Sequence, residues 1–544
     1  MIKRILHTKT SKIPIAAFIL VLSSFGSAVL GLLRDRLLAG SFGASDELDI
    51  YYTSFRIPDF INMVLIMGAI SAAIIPIFTF YWAKDKEDAK EFIINFLHLL
   101  LFVFVIISFF LFIFAPQLIS LIAPGFEAEK KELTVLLTRI MFLSPILLGT
   151  SNIISGVLQV FSRFLVTALA PIMYNLGIIF GLLFFVPRIG LMGLAWGVVL
   201  GGFLHLCIQL PVFLSLGFKP QKISRIFHPG IKKVLKLMLP RSLGIAASQI
   251  NLIVMTAIGS TLAIGSIAVF SLANNLSRSF LILLAVPFST AVFPALSTVF
   301  SQGKKKQFLR NFSLSFRLVL FLIIPASGLL FILRAQVVRI IYGTGRFTWT
   351  DTSLTSACLA LFSLSLFAYG LGLLLSKAFY AMHNTKTPTI ISSISIGLNI
   401  CLCFLFVHFL KSFNFFSHSL IAILKLEGLE NISIIGLPLA YSVSGIVQFI
   451  LLFYFLHKRI GTTTQKEILK TASRTILATI PTIIIAYLSL HFFDLFLETS
   501  TFLGILLQTA GTVIVALSTY FLFSLLLKSP EVHLLKNFLS RKLS

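Results

Sequence analysis

Residues 71–82 read SAAIIPIFTFYW and residues 289–300 read STAVFPALSTVF, so that Pro76 aligns with Pro294. A basic loop and then a long apolar stretch follow each copy. Further matches occur in the same order: APQLISLIAPGF at 115–126 with RAQVVRIIYGTG at 334–345, APIMYNLGIIFGLLF at 170–184 with SISIGLNICLCFLF at 393–406, and GLAWGVVLGGFLHLCIQ at 193–209 with GLPLAYSVSGIVQFILL at 436–452. Four matches in one order predict an internal repeat.

The composition around these segments is that of a membrane protein. Of 544 residues, 57% are hydrophobic and 12% are charged, whereas soluble proteins carry about 25% charged residues. At about 20 residues per bilayer-spanning helix, the chain has room for more than ten spans. A secreted enzyme, a disordered chain and a nucleic-acid-binding domain are therefore excluded.

The apolar stretches predict an all-α polytopic protein with fourteen transmembrane helices. Gly, Pro and polar residues separate the stretches, and the first is interpreted as a retained span because no small-residue cleavage site follows it. The predicted spans are 13–38, 51–82, 92–122, 134–160, 164–186, 190–216, 238–260, 265–299, 312–341, 353–382, 388–410, 431–457, 472–493 and 501–527.

The net charge of +25 is explained by topology. Lys and Arg resist translocation, so basic loops stay in the cytoplasm. Alternate loops are basic from Lys3 and Arg4 to Lys458 and the tail at 528–542, whereas the opposite loops are sparse in basic residues. This alternation predicts that both termini face the cytoplasm. Anionic membrane lipids are then the expected partners of the basic loops, and nucleic acid is not required.

The repeat predicts the domain organisation. Each copy holds six spans, an even number, so the two copies have the same orientation and are related by a pseudo-two-fold axis along the membrane normal. We expect an N-terminal lobe at 1–218, a C-terminal lobe at 237–460 and a helix pair with a basic tail at 461–544. The basic segment 219–236 is interpreted as a cytoplasmic amphipathic linker helix broken near Pro229, or as a solvated linker.

The chain carries no motif of a soluble enzyme. It has no Walker A sequence, HExxH, GxSxG or dinucleotide fingerprint, so we expect no catalytic activity and no cofactor. The four cysteines all lie inside apolar runs, without the spacing of disulfides or of a metal site. They are Cys207, Cys358, Cys401 and Cys403.

Charged residues within the spans are the candidate substrate site, because charge is costly in hydrocarbon and marks a hydrated path. Arg34 and Arg241 are expected to face a cavity, with Asp35 as a counterion of Arg34. Several guanidinium groups around one hydrated space suit a phosphate, since arginine offers a planar fork to oxygen. The alternative for arginines near helix ends is a local ion pair or snorkelling to the interface. The candidate residues from the spans are Arg34, Asp35, Asp49, Arg56, Arg241 and Arg278.

Several strings resemble the MurJ (MviN) family of lipid II flippases in the MOP exporter superfamily. They include LGLLRDRLLAGSFGAS at 30–45, PRSLGIAASQIN at 240–251 and KAFYAMHNTKTP at 377–388. The resemblance runs from about residue 15 to 525. It implies a V-shaped transporter with two six-helix lobes and a lipid-tail groove beside the last helix pair. The implied substrate is the undecaprenyl-pyrophosphate-linked peptidoglycan precursor, and the implied location is the bacterial inner membrane.

The resemblance also shows where this chain departs from the family. Arg34, Asp35 and Asp49 match family positions. The three other cavity arginines are replaced by Ala28, Asn62 and Asn275, and glutamate positions are occupied by Met67 and Arg278. We therefore list Asn62 and Asn275 as site positions, and we predict that Arg241 or Arg278 points into the same cavity as Arg34 and supplies the missing charge.

Three other functions stay open at this level. A flippase for another lipid-linked glycan needs the same phosphate contacts. A cation-coupled multidrug exporter of the same superfamily calls for an acidic and aromatic site, whereas the charge here is cationic. A scaffold that binds the cell-wall synthesis machinery would tolerate the loss of arginines. The sequence does not identify the coupling ion or the oligomeric state.

Overall fold

The computed structural model describes residues 13–67, 74–218, 228–412, 414–429, 431–461 and 465–532, and these residues are almost entirely helical. The all-α fold class is confirmed. In chain order the helices are α1 Ile13–Phe42, α2 Asp46–Ser54, α3 Arg56–Asn62, α4 Ile75–Lys84, α5 Lys86–Ile113, α6 Ala115–Ile122, α7 Ala128–Met141, α8 Leu143–Val160, α9 Phe164–Phe180, α10 Val186–Ile189, α11 Met192–Ser215, α12 Pro229–Ser260, α13 Ser266–Leu284, α14 Val286–Ser301, α15 Lys305–Ile332, α16 Arg334–Tyr342, α17 Trp349–Ala381, α18 Lys386–Lys411, α19 Phe415–Leu424, α20 Gly436–Ile460, α21 Gln465–Asp494 and α22 Phe502–Leu526.

Twelve helical segments among the described residues are long and apolar enough to cross a membrane. They match the third to the fourteenth predicted spans one for one, from Lys86–Ile113 to Phe502–Leu526. The second predicted span includes residues 68–73, which lie outside the described residues. In the first predicted span, the side chains before residue 23 also lie outside them. The protein is therefore a polytopic membrane protein.

The described chain forms two compact units, residues 1–268 and 269–544. The predicted lobes divide at 219–236 instead. The two divisions differ because the lobes follow the repeat in the sequence, whereas the compact units follow the contacts between helices. Helix α12 packs against α3, α4 and α6, all within the first unit. The lobe boundaries stay a prediction.

Glycines bring α9 and α11 close together in the first unit. A Cβ atom built on Gly177 would lie 2.3 Å from Cα of Gly201, and one built on Gly181 would lie 2.3 Å from Cα of Gly197. Small residues four apart on both helices permit this backbone approach, which is a common basis of helix association in membranes. Helix α9 also packs against α1, and this places the charged part of α1 beside α9.

Proline positions mark several helix boundaries. Helix α3 begins at Arg56, after a break at Phe55, and contains Pro58 in its first turn. Helix α14 begins at Val286, with Pro287 in its first turn. Pro is tolerated there because its missing N–H has no partner in a first turn.

The predicted linker is described only from His228 onward, so it stays a prediction. Helix α12 begins at Pro229 and runs without a break to Ser260, so residues 229–236 belong to the same helix as the following span. His228 caps this helix, because its Nδ1 accepts a hydrogen bond from the Gly230 amide at 3.0 Å. Its Nε2 lies 3.1 Å from Oδ1 of Asp88. Residues 219–227 of the predicted linker lie outside the described residues.

The last two helices, α21 and α22, pack against each other, and α21 packs against α15 in the second unit. Arg317 on α15 joins two carboxylates at this junction. Its Nη1 lies 2.9 Å from Oε2 of Glu467 and its Nε lies 3.0 Å from Oε1 of Glu531. Glu531 is fully buried and also accepts a hydrogen bond from Thr471 at 2.8 Å.

Candidate functional site

Arg34 is held by two acceptors in the interior of the first unit. Its Nε and Nη2 lie 2.9 and 2.7 Å from Oδ1 of Asp35, and its Nη1 donates to Oδ1 of Asn175 at 3.1 Å. The expected counterion contact with Asp35 is thus present. The Arg34 side chain is 22% exposed, whereas that of Asp35 is 3% exposed. The guanidinium is therefore fixed in orientation, on a side chain that is not fully buried.

Asn175 owes its position to the packing of α9 against α1. Its Nδ2 donates to the carbonyl of Pro171 at 3.1 Å and to Oγ of Ser27 at 3.4 Å. A Cβ atom on Gly31 would reach 4.0 Å from Oδ1 of Asn175, so this side of α1 is open toward the amide. Because the amide nitrogen is bound on both sides, the amide oxygen is directed at Arg34.

Asp49 has the contacts of a helix-capping carboxylate. Its Oδ2 accepts from the Gly265 amide at 2.9 Å, and its Oδ1 accepts from the Ala268 amide at 2.8 Å. Lys130 lies 3.3 Å from Oδ2 of Asp49 and also pairs with Asp46. Asp49 is 2% exposed. These contacts engage both carboxylate oxygens of Asp49. Asp49 therefore has a structural role in addition to its predicted role in the site.

Arg56 is also turned toward the interior of the first unit. Its Nε donates to Oγ1 of Thr256 at 2.7 Å, which joins α3 to α12. Arg56 is half-buried. This contact is separate from the Asp35 and Asn175 contacts of Arg34.

The positions where the resemblance expects arginine are neutral in the first unit. Ala28 lies half-buried on α1. Asn62 lines a cavity of about 10 Å³ together with Asp59 and Ser144, and its Oδ1 is buried without a hydrogen-bond partner among the described residues. A cavity of this volume has room for about one water molecule. The side chain of Met67 lies outside the described residues.

The remaining candidates are distributed between the described and undescribed parts of the chain. In the second unit, Arg278 on α13 is exposed and Asn275, one turn earlier, is half-buried. Arg278 interacts electrostatically with Tyr441 on α20. Arg241 lies on α12, but its side chain is outside the described residues. The prediction that Arg241 or Arg278 shares a cavity with Arg34 therefore stays a prediction.

The arrangement around Arg34 suits the binding of an oxyanion. Two of its nitrogens face one carboxylate oxygen, and its other N–H groups can donate to a phosphate oxygen. Within the described residues, no three His, Cys, Asp or Glu side chains come together as metal ligands would. The candidate site therefore consists of the Arg34 guanidinium and the two side chains that accept its hydrogen bonds, Asp35 and Asn175.

Two residues of this region were not among the sequence candidates. Asn175 lies in the repeat match at 170–184, and the repeat carries no information on its contact with Arg34. Lys130 lies in a mixed-charge run, EAEKKE at 127–132. Its pairing with Asp49, which is 81 positions away, depends on tertiary packing.

Comparison with known proteins identifies relatives over most of the chain. The family described as "Lipid II flippase MurJ" matches residues 38–508. A "Probable lipid II flippase MurJ" of Buchnera aphidicola subsp. Acyrthosiphon pisum is 30% identical over 470 residues, which are 86% of this chain and 88% of the relative. A "Lipid II flippase MurJ" of Burkholderia cenocepacia is 28% identical over 381 residues, covering 68% and 73% of the two chains.

Solved structures give the same result for the fold. The structure titled "Lipid II flippase MurJ, inward closed conformation" has a TM-score of 0.75 and 27% identity, covering 93% of this chain and 98% of that one. An inward-facing multidrug resistance MATE family transporter of the MOP superfamily has a TM-score of 0.66 at 15% identity, covering 81% and 96%. The latter similarity concerns the fold alone.

Proposed function

Because the chain belongs to the MurJ family of lipid II flippases, we propose that it moves lipid II from the inner to the outer leaflet of the bacterial inner membrane. Lipid II is the undecaprenyl-pyrophosphate-linked precursor of peptidoglycan. Transport proceeds by alternating access, with the head group in a hydrated cavity and the polyprenyl tail in lipid. Both termini face the cytoplasm, and anionic lipids contact the basic loops. The cell-wall synthesis machinery is a further candidate partner.

The observation that carries this proposal is the fixed guanidinium of Arg34. A pyrophosphate in the membrane interior needs a positively charged partner, because burial of an unpaired anion is very costly. Arg34 lies inside the first unit, is oriented by Asp35 and Asn175, and keeps 22% of its side chain exposed. Its fork would donate to pyrophosphate oxygens, while Asp35 and Asn175 hold the fork in place.

Rescue of a cell depleted of its own lipid II flippase tests the proposal. The natural chain is expected to restore growth and the exposure of lipid II to an impermeant reagent outside the cell. Arg34→Ala should abolish both, and Arg34→Lys should restore them in part, because lysine keeps the charge without the fork. Arg188→Ala is the matched control, since Arg188 is exposed and its hydrogen bond among the described residues is to the nearby carbonyl of Phe184. Membrane abundance of every variant is measured by immunoblot.

Two outcomes would contradict the proposal. Full rescue by Arg34→Ala would remove Arg34 from the transport path. Failure of the natural chain to rescue, at normal abundance, would favour a flippase for another lipid-linked glycan. That alternative has its own support in the neutral residues Ala28, Asn62 and Asn275, since a different head group would need different contacts.

A further inference from the structure

A cavity of about 160 Å³ lies within the second unit, and none of the sequence candidates for the substrate site lines it. Tyr369 and Gly372 on α17 and Gln448 and Phe449 on α20 contribute to its wall, and Leu281 on α13 closes one side. For comparison, an apolar protein cavity of about 150 Å³ holds one benzene molecule. The cavity therefore has the volume for one six-membered ring.

Several contacts hold the helices around the cavity in place, so the cavity is a defined part of the fold. The rings of Tyr369 and Tyr441 stack at 4.5 Å, and the Tyr369 hydroxyl donates to the carbonyl of Tyr441 at 3.2 Å. Ser442 donates to the carbonyl of Leu361 at 2.6 Å. A Cβ atom on Gly445 would lie 2.5 Å from the ring of Tyr369, so glycine at this position leaves room for the ring.

The chemistry of the wall combines aromatic faces with a few neutral polar groups. Tyr369 and Phe449 supply aromatic surface, Ser376 supplies a hydroxyl, and Gln448 supplies an amide whose Nε2 donates to Oγ of Ser392 at 3.0 Å and whose oxygen can accept from a ligand. All lining residues that the structure describes are uncharged. A pyranose matches this wall, because its C–H face packs on an aromatic ring and its hydroxyl groups bond to amides and hydroxyls. A charged peptide group would lose hydration here without gaining a charged partner.

The position of Arg278 connects this cavity to a phosphate. Arg278 lies three residues before Leu281 on α13, so both residues are on one face of the helix. Leu281 lines the cavity, and Arg278 is exposed and interacts electrostatically with Tyr441. A pyranose in the cavity would thus have a guanidinium within about one helical turn, where a glycosyl phosphate carries its charge.

We propose that this cavity is a subsite for one sugar ring of the lipid-linked substrate, with Tyr369, Gln448 and Ser376 as its contacts. This inference rests on the proposed function, because it takes a lipid-linked glycan as the substrate. It assigns recognition of the sugar to the second unit and names neutral aromatic and amide groups for it.

The test measures the binding of three lipids to the purified protein. They are lipid II, the same lipid without its pentapeptide, and undecaprenyl pyrophosphate without sugars. We expect both sugar-bearing lipids to bind at least about tenfold more tightly than undecaprenyl pyrophosphate. A difference of this size corresponds to one or two good polar contacts. A preference that disappears with the pentapeptide would overturn the sugar assignment.

Gly372→Leu fills the cavity and should reduce this preference to within about twofold, without changing the binding of undecaprenyl pyrophosphate. The substitution is sterically mild, since a Cβ at Gly372 has its nearest neighbour at 4.0 Å. Gly397→Leu on α18 is the matched control, because a Cβ there has no described neighbour within 4 Å, and it should keep the preference. Gln448→Met, which conserves side-chain length, should weaken the preference several-fold.

The outcomes separate this inference from the proposed function. Equal losses for all three lipids in Gly372→Leu, or an unchanged preference in both Gly372→Leu and Gln448→Met, would overturn the subsite. If Gly372→Leu does not fold, Gln448→Met alone decides. If the natural protein binds the lipids without preference for sugar, the subsite fails and the flippase proposal stands. If it binds none of them, the proposed function fails first.

Discussion

Asn175→Asp separates the two tasks of the Arg34 environment, which are orientation and charge. The variant keeps an oxygen acceptor where Oδ1 of Asn175 now lies, 3.1 Å from Nη1 of Arg34, but it loses the Nδ2 donor to the Pro171 carbonyl, a loss that Asn175→Ala shares. It also gives Arg34 a second carboxylate besides Asp35. If Asn175 only orients the fork, Asn175→Asp will bind an anionic head group at least as well as Asn175→Ala. If the charge of Arg34 attracts the pyrophosphate, the variant will bind it poorly.

The expected magnitude follows from the distances. A phosphate oxygen bonded to Nη1 lies about 2.8 Å from it, so its separation from the new carboxylate is at most about 6 Å. Two unit charges at that separation repel by about 3 kcal/mol at an effective dielectric constant near 20. This corresponds to a loss of affinity of roughly a hundredfold. Asn175→Ala, which removes one charge-assisted hydrogen bond, should cost about tenfold.

The assay is binding of undecaprenyl pyrophosphate to the purified protein, with Asn384→Asp as the matched control. Asn384 lies in the turn before α18, where its Oδ1 accepts from the Thr387 amide at 3.2 Å and its Nδ2 lies 2.9 Å from Oγ1 of Thr387. Aspartate keeps the first contact, and the Thr387 hydroxyl can donate to its second oxygen. The control should bind like the natural protein. Equal affinity of Asn175→Asp and the natural protein would refute the reasoning, as would a larger loss in Asn175→Ala than in Asn175→Asp.

Three further predictions concern packing, topology and the last helix pair. Gly177→Leu should lower the thermal stability markedly, because the backbones of α9 and α11 would have to separate, whereas Gly397→Leu in open space should not; equal melting temperatures would contradict this. Lys305→Cys should resist an impermeant thiol reagent added outside intact cells, and labelling would reject the predicted topology. Glu531→Gln, which removes a buried ion pair, should cost about 3 kcal/mol of stability, and exposed Glu498→Gln should cost little; matching unfolding curves would contradict this.

The spans could be predicted from the sequence because hydropathy is a property of composition over about 20 residues. Twelve of the predicted spans recur as helices, but three of them end well before the predicted residue, because a second short helix follows at Ala115–Ile122, Val286–Ser301 and Arg334–Tyr342. The sequence around Pro229 determines its local structure less closely. A proline in a basic segment is compatible with a break inside a helix or with a helix start. In the structure a helix begins at Pro229, and His228 caps it.

The site was predictable only where its residues are neighbours in sequence. Asp35 adjoins Arg34, so its role as counterion could be expected from spacing alone. Asn175 is 141 positions from Arg34, and their contact depends on the approach of α9 to α1. The amides that engage Asp49 are likewise more than 200 positions away. No local pattern encodes such pairs, because they form only after the helices pack.

The neutral environment of Arg34 has a consequence for transport. Asp35 compensates the charge of Arg34, and the family's arginine positions at Ala28 and Asn62 contribute no charge in this unit. An oxyanion at Arg34 therefore gains directed hydrogen bonds together with the attraction of one partly compensated charge, and such bonds contribute about 1.5 to 3 kcal/mol each when one partner is charged. A transporter must also release its substrate, and very tight binding of a pyrophosphate would oppose release. The compensated arginine thus favours recognition through geometry, with an affinity low enough for the head group to leave.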